Sequence, residues 1–220
     1  MHMHKNDYTQ DITPDSTLSL REIVFGLVLA GTSGAAVLAH VFVPVPMTFT
    51  VPFIVLPTFA LLLGIVLLRR KLYHRLHIFA EQLILGAWTG LVATLAYDAI
   101  RPILQLIFQF SFKPYKAIPI FGQLITGLPA THILAIITGW IYHFWNGVSF
   151  GMMFALLKPK GGAIAGLIWG LGLQCLMMVA YPKFLQIRLE DPGFLVTGLV
   201  GHSLWGIVLG LSVKRWSKYD

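Results

Sequence analysis

Residues 138–154 read TGWIYHFWNGVSFGMMF, and residues 197–213 read TGLVGHSLWGIVLGLSV. Both fit T-G-x-x-x-H-x-x-x-G-x-x-x-G, the second copy lying 59 residues beyond the first (His143 to His202). A step of four is close to one helical turn, so Gly139, His143, Gly147 and Gly151 form one stripe. Gly198, His202, Gly206 and Gly210 form another. Each stripe sets one imidazole among glycines, in a segment apolar enough to cross a bilayer.

The rest of the chain agrees with that setting. Of its 220 residues, 56% are hydrophobic and 11% charged, and mean hydropathy is +0.75. A soluble domain carries about a quarter charged residues. Apolar runs longer than about 18 residues make this an all-α, polytopic membrane protein. Six spans are expected, at roughly 21–43, 48–68, 79–101, 131–157, 162–181 and 193–213. They form a membrane domain over 21–213, with tails at 1–20 and 214–220.

Charge distribution gives an orientation. Lys5, Arg21, Arg69, Arg70, Lys71, Arg75, Lys158, Lys160, Lys214, Arg215 and Lys218 fall on one side, and Lys113, Lys116, Lys183 and Arg188 on the other. The positive-inside rule then puts both termini in the cytoplasm of a plasma (inner) membrane. The net charge of +7 clusters at span ends, so it does not indicate nucleic acid. The N-terminus lacks the pattern of a cleaved signal peptide, and the first span is expected to be retained. Cys175 is the single cysteine, which excludes an intramolecular disulfide and a CxxC metal site.

The third span begins Gly86-Ala87-x-x-Gly90-Leu91 and the fifth Gly162-Ala163-x-x-Gly166-Leu167, 76 residues apart (86 to 162). Spans three and four (79–157) and five and six (162–213) therefore read as two copies of one helical hairpin, a parallel repeat with its axis along the membrane normal. The first copy holds extra residues within 102–130, where two apolar stretches, ILQLIFQFSF and AIPIFGQLITGLP, are each too short to span and are bracketed by prolines. The placement of Gln105 and Gln109 favours an interfacial segment over a re-entrant one.

Three uses of the histidine stripes stand open. Small residues four apart are ordinary helix-packing surfaces, and a neutral histidine can bond across them. A polar midplane site between the fourth and sixth spans would bind a small molecule or ion through His143, Asn146 and His202. Two imidazoles at one depth could also ligate a haem or metal. Asn146 is expected to satisfy His143. Asp98 and Arg101, in LAYDAIRP (95–102), can pair on one helix face and guard the outer entrance, with Pro102 ending or kinking the helix. Glu81 is read as a first-turn carboxylate favoured by the helix dipole. GTSG at 31–34 fits the G-x-S-G of rhomboid-type proteases, but the order of motifs differs, which weighs against Ser33 as a nucleophile.

The paired H-x-x-x-G-x-x-x-G helices resemble those of small bacterial inner-membrane proteins, a resemblance that implies fold and location but no activity. Length and span number are also similar to vitamin-binding subunits of energy-coupling-factor transporters, and PVPMTF at 44–49 resembles the biotin type. The expected function is a transport or binding role around a midplane site. A redox protein holding haem, or a structural subunit of a membrane complex or homo-oligomer, are the alternatives. The lipid bilayer is the expected partner in every case.

Overall fold

The computed structural model describes residues 18–71, 74–185 and 190–218, with the backbone alone for Arg70, His74, Arg75, Lys183 and Phe184. Most of the 1–20 tail, with Lys5, and Arg188 thus lie outside the described residues. The protein is all-helical: α1 (Leu20–Phe42), α2 (Met47–Leu68), α3 (His74–Phe108), α4 (Ala117–Thr126), α5 (Ile133–Leu157), α6 (Ala163–Leu185) and α7 (Pro192–Trp216).

Local chemistry sets the helix ends. Ser19 and Glu22 form a capping box at the start of α1, with the Ser19 N–H donating to Glu22 Oε2 at 2.7 Å. Asp191 caps α7 by accepting from the Gly193 and Phe194 N–H groups, with Pro192 at the first helical position. Gly127, at φ +73°, closes α4 in the left-handed conformation. In α2 the turn over Val51–Val55 widens to a π-helix. Pro52 lies within that turn and Pro57 just beyond it, where a missing N–H breaks the usual bond ladder.

Five helices are long and apolar enough to span a membrane: Leu20–Phe42, Met47–Leu68, Leu76–Phe108, Ala163–Pro182 and Pro192–Trp216. The expected fourth span, α5, has 25 residues and is about 38 Å long. Its hydropathy falls below that of the other five because it carries Trp140, Tyr142, His143, Trp145 and Asn146. It packs on α1, α3 and α4, which bury Tyr142 and leave the other four half-buried.

Two antiparallel pairs, α3 with α5 and α6 with α7, are joined at glycines. A Cβ on Gly86 would stand 2.6 Å from the Gly151 carbonyl oxygen, and one on Gly90 2.5 Å from that of Gly147. A Cβ on Gly166 would stand 1.9 Å from the Gly206 oxygen, and one on Gly210 2.1 Å from that of Gly162. The stripes are therefore surfaces of backbone contact, closer than any side chain would permit. The histidine helices α5 and α7 both pack extensively on α3, and far less on each other.

Two further expectations change. Helix α3 runs through Pro102 to Phe108, so 102–108 belongs to the third helix and not to a separate segment. At its end the Gln105 side chain donates to the Phe110 carbonyl and Gln109 to that of Leu106. Helix α4 folds onto the bundle with Ile118 and Phe121 buried. Glu81 lies in the second turn of α3 rather than the first, and is paired to Arg69 at 3.3 Å and to Lys218 at 3.0 Å. That pairing gathers the end of α2, the start of α3 and the end of α7 at one end of the bundle.

The glycine contacts predict a contrast. Gly166→Val should cost about 1–3 kcal/mol by overpacking, read as a lower midpoint of thermal unfolding in detergent. Gly64→Ala, where nothing lies within 4 Å of the added carbon, should leave the midpoint unchanged or raise it.

Candidate functional site

The site begins with a proline. Pro102 has no N–H to give to the carbonyl of Asp98, four residues earlier. The Tyr115 hydroxyl supplies the missing donor, at 2.8 Å from that oxygen. The loop after α3 is thereby folded back over the helix, and α3 continues where the sequence suggested a stop.

Around that point the polar side chains form a chain of contacts. Asp98 Oδ1 accepts from Arg101 at 3.2 Å. Asp98 Oδ2 lies 2.9 Å from His143 Nε2. The Arg101 guanidinium also lies over two rings, 4.9 Å from the centre of Tyr97 and 4.7 Å from that of Tyr115. Arg101 is only 5% exposed, so the carboxylate and the ring faces, rather than bulk water, stabilise its charge. The expected Asp98–Arg101 pair is present, and the pair extends to His143, from a helix 45 positions away. Asn146 is not the partner of His143: its Oδ1 is buried and has no hydrogen-bond partner.

His202 is held differently. Its Nδ1 lies 2.9 Å from the Gly198 carbonyl of its own helix. The Tyr97 ring contacts both imidazoles, with centroids 6.3 Å from His143 and 4.8 Å from His202. Gly201 makes room for it, since a Cβ there would meet the ring at 2.6 Å. One turn toward the other end, Thr94 Oγ1 donates to the Gly90 carbonyl and accepts from Trp205 Nε1 at 3.2 Å. It also sits where a side chain on Gly147 would be. Thr94 thus fastens α3, α5 and α7 at one level.

These groups border a cavity of about 110 Å³ with walls from α1, α3, α4, α5, α6 and α7; Tyr97, Arg101, His143, Asn146 and His202 supply much of its polar lining. Asp98 stands behind the wall, paired to two residues that line it. A smaller cavity of about 40 Å³ continues past Tyr97 and Arg101 to Phe112 and Pro114 of the loop. Arg101 Nε, like Asn146 Oδ1, is buried without a partner. Such atoms cost about 1–3 kcal/mol each when left unsatisfied.

The other candidates fall elsewhere. His132 caps α5 through Nδ1, which accepts from the Leu134 N–H at 3.2 Å. Ser33 is fully buried, and its hydroxyl has no partner; its carbonyl accepts from Tyr142 at 2.5 Å. His40 lies against the Val45 carbonyl. Among the described residues no three His, Cys, Asp or Glu side chains are grouped to hold a metal ion. Tyr97, Thr94 and Tyr115 were missed as contributors. Only Tyr97 left a signal, standing four residues before Arg101 on one helix face.

Compared with known protein families, curated proteins and solved structures, the chain matches none. The site itself makes a prediction. Tyr115→Phe removes the donor to the Asp98 carbonyl and should cost about 0.5–1.5 kcal/mol, with faster amide exchange confined to the end of α3 and the loop over it.

Proposed function

We propose that this multi-pass membrane protein binds a small molecule in the chamber bordered by Tyr97, Arg101, His143, Asn146 and His202, in a transport or binding role. The observation that carries this reading is the pair of buried, unpartnered polar atoms on residues lining the cavity, Arg101 Nε and Asn146 Oδ1. One is a donor and one an acceptor, and buried polar groups are as a rule satisfied. A ligand that accepts from the first and donates to the second removes both penalties. In this reading His143 and His202 add contacts, and Asp98 fixes the orientation of His143 and Arg101.

The fold supports two accompanying proposals. The α3–α5 and α6–α7 pairs repeat one hairpin: the Gly90–Gly147 contact recurs at Gly166–Gly206, and Gly86–Gly151 at Gly162–Gly210, with the same offsets as the sequence motifs. Both termini face the cytoplasm, supported by the excess of Lys and Arg at the end that Glu81 draws together.

A thermal-shift screen of polar metabolites and lipids tests the binding site. Ligands that raise the unfolding midpoint of the native protein should lose most of that shift in His143→Ala and Asn146→Ala. Shifts unchanged in both variants would rule out this chamber. The purified protein is expected to show no Soret band; a band lost in both His143→Ala and His202→Ala would assign it to the redox class instead.

Orientation is tested in a Cys175→Ser background, which has no other cysteine. Lys113→Cys should react with an impermeant maleimide on intact cells, and Lys160→Cys only after the membrane is opened. The reverse pattern would invert the assignment.

A further inference from the structure

An apolar groove of about 1080 Å³ lies beside the chamber. Gly31, Gly34 and Ala35 of α1 form one wall, Ile168 and Gly172 of α6 the other, and Phe150 and Met153 of α5 the floor. Its bounding helices α1 and α6 are both long and apolar enough to span a membrane. It runs to Leu157 and Lys158 at the end of α5. Gly34, Leu38, Phe150, Leu173 and Leu176 line both the groove and the chamber. The two spaces therefore adjoin, with the Phe150 ring seated on Gly34 at their junction, where a Cβ would meet it at 2.9 Å.

We infer that the ligand is a neutral, single-chain amphiphile that enters sideways from the bilayer, its head group in the chamber and its hydrocarbon chain in the groove. This rests on the binding reading above and names its ligand class. Charge settles the head group. Asp98 already balances the Arg101 cation, so an added anion would stand uncompensated in a poorly hydrated site. What Arg101 Nε and Asn146 Oδ1 lack is one acceptor and one donor, which a hydroxylated head provides. The chain replaces lipid contacts in a trough that runs from Phe150 to Leu157, about 10 Å along the helix. Small residues on α1 leave the space it occupies.

The test uses monooleoylglycerol and its dibrominated analogue, with the protein in detergent and in nanodiscs. Trp169 lines the groove, so a bromine-bearing chain seated there quenches its fluorescence, and Trp169→Phe removes that component. Gly172→Leu fills the groove at a position where nothing lies within 4 Å of the added carbon, so folding is kept. It should weaken monooleoylglycerol binding by about tenfold or more, because two displaced methylenes alone are worth that much.

Glycerol alone should bind no more weakly to Gly172→Leu than to the native protein, and oleate should bind less tightly than the neutral lipid. Monooleoylglycerol binding unaffected by Gly172→Leu overturns the groove as the seat of the chain. Tighter binding of oleate overturns the neutral head group. If monooleoylglycerol fails to bind while a chainless ligand gives a shift that His143→Ala abolishes, lateral entry falls and the chamber stands. If no ligand of either kind produces a shift, both readings fall.

Discussion

Inside a bilayer, burying apolar surface against another helix gains little, because lipid tails are equally apolar. Helices there associate through the quality of their contact and through bonds between polar groups. In this protein both depend on the approach of backbones at glycine. Gly90 against Gly147 sets the separation and register of α3 and α5. With that register fixed, positions one and two turns further along α3 face their counterparts on α5. Thr94 then fills the space over Gly147, and Asp98 comes within 2.9 Å of His143. A side chain on Gly90 would separate the helices, and with them the polar groups that make the chamber.

The charged groups follow from a second constraint, that a buried charge must be compensated where it stands. Arg101 is compensated by its own helix at Asp98 and by two tyrosine rings. One of those rings belongs to Tyr115, whose hydroxyl also takes up the carbonyl released by Pro102. A single loop residue thus repairs the helix break and helps hold the cation beside it. Nearly two more turns of α3 form beyond the proline.

Those dependencies explain what could be read from the chain and what could not. The all-helical build, the apolar setting and the glycine stripes as packing surfaces are local, periodic signals, and they were legible; the count of spans was not, since five helices rather than six are long and apolar enough to cross a membrane. So was the Asp98–Arg101 pair, three residues apart on one face. The length of α3 was not, because Pro102 reads as a stop unless the donor 13 residues on is known. The partner of His143 was not legible either. Asn146, three positions away, is the obvious choice by spacing, whereas Asp98 reaches His143 only through the antiparallel register of two helices. The placing of α3 between the two histidine helices likewise depends on which glycine surfaces meet, and the two stripes look equally able to meet each other.

The α6–α7 pair shows how the same backbone contact yields a different chemistry. Positions 76 and 59 residues beyond Asp98 and His143 carry Gln174 and His202. Gln174 lies against Gly198, its Nε2 unpartnered, and His202 turns to the carbonyl of its own helix. Without a carboxylate, that side needs no counterion, and α6 has no acidic or basic residue from Ala163 to Pro182. Charge is thus concentrated on α3, and the wall facing α1 is free to be apolar. The chamber thus has a polar face on one side and an uncharged wall on the other, the asymmetry on which the proposed two-ended ligand rests.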